Sequence, residues 1–117
     1  MSETSQAPKE LAALLGVWTG NWPGGLSMIV TLKDTDSKSM AVHYEWGDMT
    51  YPDHTHIQAG GGWHTGKISG DGGISFSLEY FGESRVITLR AEGKYLRTSC
   101  LCGSGGNPSV IIGRSNN

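Results

Sequence analysis

The stretch Gly47-Asp48-Met49-Thr50-Tyr51-Pro52-Asp53-His54-Thr55-His56 carries side chains that can hydrogen-bond, titrate and stack. His54-x-His56, with Asp48 and Asp53 in the same stretch and His43 and His64 near in sequence, supplies imidazoles and carboxylates suited to zinc at three or four ligands. A His-x-His pair alone is a weak signal, and the two cysteines lie far along the chain. The stretch therefore reads as a solvated loop rich in turn formers, and no metal is expected. His43 and Glu45 are spaced to share one face of a strand, where a carboxylate beside an imidazole can tune acid–base chemistry. The alternation points that face outward, away from Tyr44 and Trp46. Arg85, Arg90 and Arg97 could hold the anionic head of a ligand, but Arg85 and Arg90 fall on opposite faces by parity, and such residues are mostly surface groups.

Other chemistries find no motif. The glycine-rich segments lack the Walker lysine pattern and the strand–Gly-x-Gly-x-x-Gly–helix context, so no nucleotide or other cofactor is expected. No nucleophile motif surrounds the serines or cysteines. Cys100 and Cys102 stand two apart. In a strand they would share a face, but a disulfide across so short a loop would be strained, and they read as reduced thiols in a reducing compartment. What remains is aromatic. Trp22, Tyr44, Trp46 and Tyr51, with His54 as a polar contributor, are the residues expected to line a small-molecule site, whereas Trp18 reads as a core plug.

These residues must be positioned by strands. Leu26, Met28, Val30 and Leu32 alternate with Ser27, Ile29, Thr31 and Lys33, Met40, Val42, Tyr44 and Trp46 with Ala41, His43 and Glu45, and Ile74, Phe76, Leu78 and Tyr80 with Ser75, Ser77 and Glu79. Period two with one apolar face predicts a sheet packed on one side and wet on the other. Gly and Asp clusters punctuate the chain at a spacing near ten residues. They divide it into eight strand candidates: 18–22, 26–33, 39–46, 62–69, 74–80, 84–91, 94–102 and 109–114. Most of the connections are of hairpin length. One helix candidate, Pro8–Leu15, has Pro8 at a favourable first position and Glu10 in the first turn. A sheet with no helices to cover it closes on itself. The expected fold is all-β: an eight-stranded antiparallel up-and-down β-barrel with a short N-terminal helix, preferred to a two-sheet sandwich because hairpin-length links leave no long crossings.

The chain is one domain's length at 117 residues, with residues 1–7 expected to be disordered. A net charge of −2 argues against a protein that grips nucleic acid. The polar first ten residues show no signal-peptide pattern, and no apolar run approaches the roughly 20 residues that span a bilayer. The expectation is a soluble cytoplasmic protein with no membrane partner.

Leu11-Ala12-Ala13-Leu14-Leu15-Gly16-Val17-Trp18 resembles the opening of the calycins, the lipocalin and avidin-like barrels. In that group a helical turn leads into Gly-x-Trp on the first strand. The resemblance implies that Trp18 packs at the closed end of the barrel, with Arg114 on the last strand lying across it. The second lipocalin motif and the C-terminal helix are not found, nor is the tryptophan pattern that lines an avidin site. Val42-His43-Tyr44-Glu45-Trp46-Gly47 is similar to small bacterial calycin-like domains, a resemblance that implies fold and not activity. The leading expectation is a barrel whose mouth binds a small, partly apolar or aromatic molecule. Two others stand beside it: a small enzyme using His43, His54 or His56, and a filled barrel serving as an accessory or homo-oligomerisation module.

Overall fold

A computed structural model describes residues 13–34, 38–70, 72–80, 83–103 and 106–115. Its strands are β1 (Gly16–Asn21), β2 (Ser27–Asp34), β3 (Ser39–Trp46), β4 (Met49–Thr50), β5 (His56–Ile57), β6 (Gly60–Ile68), β7 (Ile74–Tyr80), β8 (Glu83–Glu92), β9 (Tyr95–Leu101) and β10 (Ser109–Arg114). Eight of them form a closed antiparallel barrel in the order β1-β10-β9-β8-β7-β6-β3-β2, and β4 pairs with β5 in a separate small hairpin. Each barrel strand lies beside its successor, and β1 meets β10 to close the ring. Among the described residues there is no helix long and apolar enough to cross a membrane.

The two-residue period decides which side chains fill the barrel. Met28, Val30 and Leu32 of β2, Met40, Val42 and Tyr44 of β3, and Ile87 and Leu89 of β8 are buried, while the residues between them are not. Register places these inward residues in layers: Val30 lies opposite both Trp18 and Tyr44, and Met28 opposite Trp46. Glycine opens space where two walls approach. A Cβ on Gly20 would run into the Ile112 side chain, and one on Gly60 would stand 2.8 Å from the Trp46 ring.

One end of the barrel is sealed. Trp18 is buried, its indole N–H donates to the Leu14 carbonyl at 2.8 Å, and the Arg114 guanidinium covers the ring at 4.2 Å from its centroid. Arg114 also donates to the carbonyls of Leu15 and Ala13 at 2.8 and 2.6 Å. Gly16, at φ 125°, lets the Arg114 side chain pass, since a Cβ there would meet it at 2.8 Å.

The wall has a thin seam. Among the described residues β6 and β7 pair only at their hairpin end, Lys67 with Ser75 and Ile68 with Ile74, whereas β3 and β6 pair along eight positions. Beyond that end the two strands are bridged by side chains, with His64 stacked on Phe76 at 5.0 Å between ring centroids.

The expected N-terminal helix, Pro8–Leu15, lies largely outside the described residues, as does the segment 1–7; Ala13 and Leu14 form a turn. The connection after Trp46, expected as a loop, holds the β4–β5 hairpin. The expectation of reduced thiols is corrected: Cys100 and Cys102 form a disulfide. An ideal strand would separate their Cα atoms by roughly 6.4–6.8 Å. The chain leaves β9 at Leu101 and turns, with the Cys102 amide bonded to the Gly106 carbonyl, and the separation falls to 5.3 Å, within bridging range. The reducing-compartment argument built on free thiols falls with it.

Candidate functional site

At the end opposite Trp18 the interior is not filled. The turn after β1, the β4–β5 hairpin and the start of β10 surround a cavity of about 440 Å³, partly open to solvent. That size is within the range of small-molecule sites, roughly 300–1,000 Å³. The lining is mainly apolar and aromatic: Trp22, Pro23, Leu26, Tyr44, Trp46, Tyr51, Ile57, Leu78, Ile87 and Pro108, with the Cys100–Cys102 disulfide and one cationic side chain, Arg85.

Each aromatic is held by a defined contact. Trp22 follows the last residue of β1, where the turn Trp22–Leu26 closes through amide bonds from Trp22 to the Leu26 carbonyl and from Gly25 to the Trp22 carbonyl. Its indole N–H donates to the Tyr44 hydroxyl at 2.6 Å, which satisfies two polar groups in an otherwise apolar wall. Burial pushes the Tyr44 phenol above its ordinary ionisation range, partly offset by that bond, so at neutral pH the ring is uncharged and its hydroxyl proton remains available to a ligand. Tyr44 sits 5.9 Å from both Trp46 and Phe76, ring centroid to ring centroid. Trp46 ends β3, and its indole N–H donates to the Gln58 carbonyl at 2.9 Å, across the neighbouring connection.

The small hairpin supplies the outer wall. Met49 pairs with Ile57 and Thr50 with His56, and the turn between is closed by the Tyr51 amide on the Thr55 carbonyl and the His54 amide on the Tyr51 carbonyl. Asp48 anchors its base by accepting from the Ala59 amide at 2.7 Å. Tyr51 and Ile57 reach the cavity from this hairpin.

Of the five residues expected to line the site, the structure brings Trp22, Tyr44, Trp46 and Tyr51 around one cavity. It does not bring His54 there. His54 is exposed at the hairpin tip with φ 72°, a left-handed backbone position set by the turn. The other histidines are also elsewhere. His43 is on the outer face, 3.0 Å from Glu45 and edge-on to Trp63. His56 shares a hydrogen bond with Thr50 at 2.9 Å and lies 3.9 Å from Asp48. His64 is stacked in the β6–β7 seam. Among the described residues, no group of three His, Cys, Asp or Glu side chains is placed to hold a metal ion.

Two components of the lining differ from the expectation: Arg85, weighed as a contact for an anionic head but set down as a surface group, and the cysteines, expected as thiols. Arg85 shares a face with Ile87 and Leu89, both buried, so its side chain enters the barrel at the mouth; it makes a 3.4 Å contact with the Glu83 carboxylate. The parity signal was present in Arg85-x-Ile87-x-Leu89. The disulfide is the second component. Together the lining offers stacking surfaces, hydroxyls and a guanidinium, an arrangement that can hold an amphiphile. No protein-family model, no curated protein and no solved structure matches the chain.

Proposed function

We propose that the barrel is a calycin-like binding module for a small, partly apolar molecule, aromatic or fatty, held in the mouth between Trp22, Tyr44, Trp46 and Tyr51. The observation that carries the reading is the half-filled interior. The Trp18 end is packed and capped, while the other end keeps a 440 Å³ apolar cavity with satisfied polar groups at its rim. A ligand that removes about 200 Å² of apolar surface from water gains about 5 kcal/mol before association costs. A charge-assisted bond to Arg85 adds about 1.5–3 kcal/mol when the ligand carries an anionic end. Together these gains are about 6.5–8 kcal/mol, and association costs of at least about 4 kcal/mol leave weak binding, with Kd on the order of millimolar. The test is a titration of tryptophan emission with 2-naphthoate and its neutral counterpart 2-naphthol. Both should perturb the emission, and Trp46→Ala should weaken both. Unchanged emission at millimolar ligand would remove the reading.

A second reading rests on the outer surface. Val17, Ile29, Tyr95 and Ile111 are 39–43% exposed on the adjoining strands β2, β1, β10 and β9. Ile29 faces Thr19, Thr19 faces Gly113, and the Tyr95 ring passes near Gly113. This apolar stripe favours association of two copies, which sedimentation equilibrium would detect as a mass above 12.5 kDa that falls when Ile29 and Ile111 are replaced by Lys.

A further inference from the structure

A disulfide that staples a fold joins distant elements. The Cys100–Cys102 bridge does not: it joins residues two apart at the end of β9 and ties no two strands together. A loop this short constrains the unfolded chain far less than a long one. The bridge instead stands in the cavity wall, where both cysteines contribute to the lining. Their exposures differ, Cys100 being buried at 3% while Cys102 is only half-buried. The facing strand adds a charge. Ile87 pairs with Cys100 and Val86 with Leu101, where β9 ends; Arg85 is the next residue on β8, Cys102 is the first residue past β9, and both line the cavity. A cation in the wall of the same cavity favours the thiolate, the form that attacks and leaves in exchange reactions.

From this placement we propose that the Cys100–Cys102 pair is a thiol–disulfide exchange site, and that a low-molecular-weight thiol reaches it through the barrel mouth. The incoming thiol gives up its proton to solvent, and its thiolate attacks Cys102 Sγ. A bond forms between the two sulfurs while the Cys102–Cys100 bond breaks. Cys100 leaves with the electron pair and takes a proton from solvent. A second molecule of the thiol then attacks the sulfur of the first, releasing a small disulfide and leaving Cys102 as a thiol. Two thiols are oxidised, the protein pair is reduced by two electrons, and no other reactant enters. In the reverse direction the dithiol reduces a small disulfide. The proposal needs a cavity that admits a small molecule. It does not need the ligand of the binding reading, and its failure would leave the naphthoate titration unaffected.

The test treats the full chain with 2-mercaptoethanol without denaturant, traps thiols with N-ethylmaleimide and reads the intact mass, with far-UV circular dichroism recorded in parallel. The expected result is two maleimides per chain with an unchanged barrel spectrum. Labelling only after denaturant, or loss of the spectrum on reduction, would overturn the proposal. Single variants locate the attack. With the neutral disulfide 4,4′-dithiodipyridine, Cys100→Ser, which keeps Cys102, should react at least about tenfold faster than Cys102→Ser, which keeps the buried Cys100. Adding Arg85→Met to Cys100→Ser should slow it. Equal rates for the two serine variants would overturn the assignment of Cys102 as the attacked sulfur. If either serine variant fails to fold, the wild-type mass measurement still decides the exchange itself.

Discussion

The Arg114 guanidinium lies over the Trp18 ring, 4.2 Å from its centroid, and joins the end of the last barrel strand to the start of the first. The same side chain donates to the Leu15 and Ala13 carbonyls, so one cation ties the entering chain, the plug and the closing strand. Truncating a fully buried aromatic typically costs about 3–5 kcal/mol, and Trp18→Ala is expected to fall in that range. Arg114→Ala should cost about 1 kcal/mol through the cation–π contact, besides its hydrogen bonds. Denaturant melts of both single variants and the double variant measure the coupling. The double loss should be smaller than the sum, and strict additivity would show that the two side chains do not support each other.

Thr98 is wholly buried between Leu96 and Cys100 on the inward face of β9, and among the described residues its hydroxyl has no hydrogen-bond partner. An unsatisfied buried hydroxyl costs about 1–3 kcal/mol. Thr98→Val keeps the shape and removes that cost, so the variant should melt higher, by about 1 kcal/mol in stability. A lower midpoint in urea would mean that the hydroxyl is satisfied in solution.

Burial, and then the nearby His43, hold the His64 imidazole below its ordinary value of 6.5. The folded state therefore resists protonation that the unfolded chain accepts. Stability is fully present above 6.5 and is lost as pH falls from there through the folded value. His64 is stacked on Phe76 in the thin β6–β7 seam, so the protection of the Gly62–Gly66 amides, measured against their intrinsic exchange rates, should fall over the same interval. His64→Gln should flatten the pH dependence of the melting temperature between pH 7 and 5. A slope unchanged by the substitution would place the titration elsewhere.

Arg85 sets the ligand's polarity if the mouth is a binding site. Arg85→Met should weaken 2-naphthoate several-fold while leaving 2-naphthol nearly unchanged, as emission titrations at low salt would show. Equal losses for both ligands would mean that Arg85 acts by shaping the wall and not by its charge.

The barrel was legible because its strands are half-buried. Met28, Val30 and Leu32 recur at every second position, and Gly and Asp clusters mark the ends. Trp22, Tyr44 and Trp46 were legible for the same reason, since strand parity and position fix both the face and the end of the barrel. The β4–β5 hairpin was not, because two-residue strands carry no period. The disulfide was missed by extending β9 through Cys102, where the chain in fact turns to bond Gly106. His54 was placed near the site by its neighbours in sequence, but the turn that carries Tyr51 inward leaves His54 at its tip. The β6–β7 seam depends on how far two strands stay paired, which the alternation within each strand does not encode.

The four tryptophans provide separate reporters for the central claim. Trp22 and Trp46 line the mouth, Trp18 seals the far end, and Trp63 is 54% exposed on the outer face beside His43. The direct measurement is a nitrogen–proton NMR titration of the labelled chain with 2-naphthoate, following the four indole N–H signals. The account predicts that the Trp22 and Trp46 signals move together along one saturable curve, while Trp18 and Trp63 stay in place. If Trp63 alone moved, or if all four stayed fixed up to millimolar ligand, the mouth would not be a binding site.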